Sequence, residues 1–103
     1  MSRHLTPSEV CEALIGKPAV LGEVCHVDAK SPFGWRLPSK NRAAGDIPSA
    51  THMRSLLAFS AARNLGLTAD HLIWGADEDE VAAILASRGS AEVAFRPNRV
   101  AAE

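Results

Sequence analysis

Long apolar runs are missing from this chain. The longest stretch without a charged side chain, Ser55 to Ala62, is far too short to cross a bilayer, so no membrane-spanning helix is expected. Cysteine is scarce: Cys11 and Cys25 have no close-spaced partner, which argues against a zinc knuckle or a disulfide framework and predicts two reduced, buried thiols. His4, His26, His52 and His71 do not fall at metal-ligand spacings with the cysteines or carboxylates, and no metal or other cofactor is expected. Gly-rich phosphate loops, a nucleophile elbow and a catalytic-triad signature are also lacking, and His26 beside Cys25 is a sequence neighbour rather than a catalytic pair. The expectation is therefore a protein that is not an enzyme. Asp77-Glu78-Asp79-Glu80 lacks the glycine and terminal glutamate of a calcium loop, and its charge suits a helix start through the helix dipole. Met1-Ser2-Arg3-His4 does not open a secretory signal, and a cytoplasmic protein is expected.

What is present fits one modest core. The sequence has 103 residues, 47% of them hydrophobic and 22% charged, with a formal net charge of −1. That near-neutral total hides an uneven distribution. Between Lys17 and Arg54 the basic residues Lys17, Lys30, Arg36, Lys40, Arg42 and Arg54 face only Glu23, Asp28 and Asp46. Beyond Ser55 the balance reverses, with Arg63, Arg88, Arg96 and Arg99 against Asp70, Asp77, Glu78, Asp79, Glu80, Glu92 and Glu103. A basic middle followed by an acidic end suits a protein with distinct binding faces.

Capping signals divide the chain into helices. Thr6-Pro7-Ser8-Glu9 is a capping box with Pro at the first helical position, Leu5 and Val10 are placed to staple across it, and Gly16 can stop the helix. Helix 1 is expected from about Pro7 to Ile15, with Val10, Ala13 and Leu14 on its apolar face. Pro18 restarts a helix, and Val20, Leu21, Val24 and Cys25 give it a buried stripe ending near His26. Asp28 is the expected N-cap of a short third helix toward Arg36, and the segment from Leu37 to Asp46 is loop chemistry. Helix 4 is expected from Ala50 to Leu65, with Met53, Leu56, Leu57, Ala61 and Leu65 on one face. Thr68 caps a brief helix 5 ending at Gly75, and Asp77 with Glu80 resembles a capping box for a helix 6 running to about Arg88. The expected fold is an all-α, compact five- to six-helix domain over residues 1–89, followed by a tail at 90–103 that either forms a short strand near Val93 to Phe95 or is disordered. The sequence has no internal repeat.

From Ile15 to Arg36 the layout is that of a helix-turn-helix. Two steeply crossing helices need a small residue where their backbones meet, which Gly22 supplies, and apolar wedge residues, which Leu21, Cys25, Val27 and Trp35 supply. On these residues the chain resembles the Cro and phage-repressor superfamily, particularly the YdaS-like branch of small prophage regulators. The resemblance runs from about Ile15 to Gly75 and takes in the later Ile47-Pro48 and the Leu67-Thr68 to Leu72 ending. Two positions depart from the pattern: His26 stands where the family usually has Gly or another residue tolerant of positive φ, and Pro32 stands where it usually has an aliphatic side chain.

The resemblance implies a sequence-specific transcription regulator of a prophage or phage-like gene cluster, gene transfer agents included, acting as repressor or activator on double-stranded DNA. It places Asp28, Ala29, Lys30, Ser31, Phe33 and Gly34 on the exposed side of the recognition helix, with Ala29, Lys30, Ser31, Phe33 and Gly34 as base-contact candidates. Phe33 has two readings, a thymine-methyl contact or a replacement for the core contact displaced by Pro32. Lys17, Arg36, Ser39, Lys40, Asn41 and Arg42 flank that helix and suit phosphate contacts. A homodimer through Ala58, Ala61 and Ala62 or through Val81 and Leu85, RNA polymerase, or a second regulatory subunit are the partners left open. The alternative is a protein-interaction module such as an adaptor or antitoxin, which the acidic C-terminal half favours.

Overall fold

In a computed structural model, which describes residues 3–88, the first capping box closes as its sequence predicts. Thr6 N–H donates to Glu9 Oε1 at 2.9 Å and Glu9 N–H donates to Thr6 Oγ1 at 3.4 Å, opening α1 (Pro7–Leu14). Ahead of it lies a strand the sequence reading missed: β1 (His4–Leu5) pairs antiparallel with β2 (Ala76–Asp77), His4 opposite Asp77 and Leu5 opposite Ala76. The architecture is thus mostly helical with one small sheet, a correction to the all-α expectation. Gly75, at φ +78°, makes the sheet feasible, because a Cβ there would collide with the Leu5 carbonyl oxygen.

Next come α2 (Pro18–Cys25), the single-turn α3 (Ser31–Gly34), α4 (Ala50–Arg63), α5 (Ala69–Trp74) and α6 over 78–88. Helix starts and stops fall within about two residues of their sequence signals, as helix ends commonly do. Asn64 closes α4 in the left-handed conformation, so the helix ends at Arg63 rather than Leu65. Thr68 caps α5 by accepting from His71 N–H at 3.2 Å, while Thr68 N–H donates to His71 Nδ1 at 3.0 Å. The start of α6 departs from its expected cap. Asp77 is taken by His4, and Glu80 lies 2.8 Å from His71 Nε2; because Nδ1 accepts from Thr68, Nε2 carries the proton toward Glu80.

Helix α1 packs on α5, and α2 packs on both α3 and α4. Their shared core contains Leu5, Val10, Leu14, Leu21, Trp35, Ile47, Leu56, Leu67, Leu72 and Val81, all buried. Val24, Val27, Met53, Leu57 and Ile84 pack against it half-buried. The face of α4 differs from expectation: Ala61 is exposed and Leu65 only half-buried, whereas Ser60 is buried and accepts from Leu67 N–H at 3.0 Å. Arg88 fastens α6 by donating to the carbonyls of Leu14 at 3.0 Å and Leu65 at 2.9 Å. Both cysteines are buried; burial, with smaller contributions from Cys25 and Glu12, pushes the Cys11 thiol up to about 12, so it stays protonated. The expected tail at 90–103, including Val93 to Phe95, lies outside the described residues.

Candidate nucleic-acid interface

The basic middle of the chain gathers around α2, α3 and the loop that follows. Pro18 starts α2 with its φ already suited to a helix, and His26 ends it at φ 60°, ψ 43°. A histidine, rather than a glycine, therefore occupies this left-handed position. The chain then doubles back so closely that a Cβ on Gly22 would sit 2.9 Å from the Asp28 carbonyl oxygen and 3.2 Å from Ala29 Cα. Both obstacles are backbone. Gly22 is required at this crossing.

The third helix is a single α-helical turn, shorter than its sequence suggested and flanked by three-residue hydrogen bonds: Ser31 N–H donates to Asp28 O, Arg36 N–H to Phe33 O and Leu37 N–H to Gly34 O. Lys30, rather than Asp28, occupies the N-cap, without a side-chain cap bond. Pro32, lacking an N–H, suits the first turn, and its ring is fully buried. Phe33 is consequently not a replacement core contact, because 52% of its surface is exposed. Trp35 is the inner wedge, 4% exposed and stacked on His52 at 5.8 Å between ring centroids.

All five base-contact candidates, Ala29, Lys30, Ser31, Phe33 and Gly34, lie on the solvent side. Among the phosphate-contact candidates, Lys17, Ser39, Lys40 and Asn41 are also exposed, and Ser39 and Arg42 exchange two backbone bonds so that Lys40 and Asn41 form the tip of a tight loop. Among the described residues no carboxylate lies within ion-pair distance of Lys17, Lys30 or Lys40. The two arginines have internal tasks. Arg36 makes a two-pronged pair with Glu12 of α1, Nε to Oε2 at 3.0 Å and Nη2 to Oε1 at 2.6 Å, and lies 5.4 Å from the centre of the Phe33 ring. Its hydrogen bond and charge attraction to Glu12 hold the guanidinium pKa above its ordinary value. Arg42 is half-buried and donates to the carbonyls of Trp35 at 3.0 Å, Asp46 at 3.3 Å and Gly34 at 3.3 Å. Sequence patterning marks such residues as basic but cannot reveal these partners, since they depend on tertiary approach.

Among the described residues, no three His, Cys, Asp or Glu side chains converge to hold a metal ion, and no helix is long and apolar enough to cross a membrane. Away from the basic region, Ile73 and Trp74 are exposed at the end of α5. Ala58, Ala61 and Ala62 are exposed on α4 and Leu85 is partly exposed on α6, whereas Val81 is buried and unavailable to a partner. Compared with protein-family models, curated proteins and solved structures, the chain finds no significant match in any of the three.

Proposed function

We propose that this chain is a DNA-binding transcription regulator in which α2 and α3 act as a helix-turn-helix of the Cro and phage-repressor type. The observation that carries the reading is the division of α3 into two sides. Pro32 and Trp35 are buried against the body, while Ala29, Lys30, Ser31, Phe33 and Gly34 project as one exposed surface. Lys17, Lys30 and Lys40 around that surface have no internal carboxylate partner among the described residues, which leaves their charge available to phosphates. In this reading Lys30, Ser31, Phe33 and Gly34 face base edges, and Lys17, Ser39, Lys40 and Asn41 face the backbone. Arg36 and Arg42 stiffen the platform.

The test is an anisotropy titration of labelled random-sequence duplex at several salt concentrations. The log of the binding constant should fall linearly with the log of salt, losing roughly 0.9 of slope for each phosphate contact removed by Lys40→Ala or Lys17→Ala. No binding at low salt would reject the reading. A protein-interaction module, adaptor or antitoxin, is the second reading, favoured by Trp74, which is 72% exposed beside the acidic start of α6. Recruitment of RNA polymerase, a second regulator or another copy through that end is compatible with DNA binding at the other.

A further inference from the structure

Gly34 is a glycine the fold does not need. Its backbone has no positive φ, and a Cβ built on it meets nothing within 4 Å. Nor is its peptide left loose: the carbonyl accepts from Leu37 N–H at 3.1 Å and from Arg42 Nη2 at 3.3 Å. Glycine in a helical turn weakens it relative to alanine, so the bare backbone here disfavours folding without an internal return. Gly22 and Gly75 differ, since neighbouring backbone occupies the space a side chain would fill.

Directly before Gly34 stands Phe33, the large apolar side chain of α3 that faces water. Arg36 lies over its ring at 5.4 Å and is itself fixed by the two bonds to Glu12. A ring held by a cation loses less freedom on meeting a ligand than a free side chain would. Lys30 and Lys40, both exposed and without a carboxylate partner among the described residues, stand against the single exposed carboxylate of Asp28 beside them and favour an anionic ligand. An anionic surface that also offers small apolar groups is the major groove of duplex DNA at thymines, whose C5-methyl groups stand on its floor.

We propose that Phe33 and Gly34 together determine sequence preference: the Phe33 ring packs on a thymine C5-methyl, and the missing side chain at Gly34 lets the base edge come close to the helix. This inference rests on the DNA-binding reading and adds the chemical group recognised. It predicts a preferred site containing a critical thymine, with Arg36 a positioning residue rather than a phosphate contact.

The experiment uses the full chain and a duplex enriched from a random-sequence pool, prepared once with thymidine and once with deoxyuridine, which differ only by the methyl. Wild type should bind the deoxyuridine duplex roughly fourfold more weakly for each methyl contacted, the factor expected for exposing one buried methyl-sized group. Phe33→Ser should bind both duplexes equally, and Phe33→Leu should keep part of the discrimination. Because Phe33 is half-exposed, its thermal midpoint should barely move. Gly34→Ala should raise the thermal midpoint yet weaken binding to both duplexes, a combination that a purely structural residue cannot give. Equal wild-type binding to the two duplexes, discrimination retained in Phe33→Ser, or full-strength binding by Gly34→Ala would each overturn the inference while leaving DNA binding intact. Wild type that enriches no duplex at low salt would remove the DNA-binding reading and the inference with it.

Discussion

Arg36 and Glu12, 24 residues apart, are joined by two hydrogen bonds that tie the end of the α3 turn to α1. The fork geometry is one that arginine makes and lysine cannot. Arg36→Lys should therefore behave almost like Arg36→Ala in its effect on Phe33 mobility, read as faster side-chain motion by aromatic NMR relaxation. Lysine restoring wild-type rigidity would show that charge alone suffices.

Arg42 and Lys40, two residues apart, should separate cleanly. Arg42 holds three carbonyls and Lys40 stands in solvent. Arg42→Ala should lower unfolding free energy by roughly 1–3 kcal/mol, as loss of hydrogen bonds from a charged donor to partly buried carbonyls does. Lys40→Ala should leave it unchanged within about 0.5 kcal/mol. Urea denaturation of the two variants measures both, and an unaffected Arg42→Ala would remove the internal role assigned to that guanidinium.

Leu56, fully buried at the centre of α4, provides the measure of the core. Leu56→Ala should cost about 2–5 kcal/mol of stability, depending on how far the surroundings relax. A loss under 1 kcal/mol, read by the same denaturation, would be incompatible with close packing at that position.

His4 links the N-terminal strand to the junction between α5 and α6. Its Nδ1 lies 2.9 Å from Asp77 Oδ1 and its Nε2 2.8 Å from the Trp74 carbonyl oxygen. Both partners accept, so the two bonds coexist only when both ring nitrogens carry hydrogen. The hydrogen bond to Asp77, followed by that to Trp74, raises the His4 pKa above the ordinary histidine value. A raised folded pKa means the stabilisation is complete below the unfolded value and disappears as pH rises through the folded one. Thermal midpoints of wild type and His4→Gln should differ most in mild acid and converge in mild alkali. A gap independent of pH would mean that His4 is not titrating in the clasp.

Much of the helical framework was legible because its signals are local. Thr6 and Thr68 start helices through bonds within a few residues, and Gly22 with His26 marks the sharp reversal after α2. The β1–β2 ladder was not, since two residues per strand offer no alternation to read and the partners lie over seventy residues apart. Periodicity also misplaced Ala61 and overlooked Ser60, whose hydroxyl is buried because it has a backbone donor in Leu67. At the candidate interface, residue type revealed the basic flank. Which cations are free and which are occupied depends on Glu12 and on carbonyls that only the folded chain brings near.

That the outer face of α3 meets duplex DNA, as proposed, is tested most directly by backbone amide shifts of isotope-labelled protein followed while the enriched duplex is added. The largest changes should cluster at Ala29 to Gly34, with a second group at Ser39 to Asn41 and near Lys17, and should diminish with added salt. Changes centred instead on Ile73 and Trp74, or none at all, would contradict it.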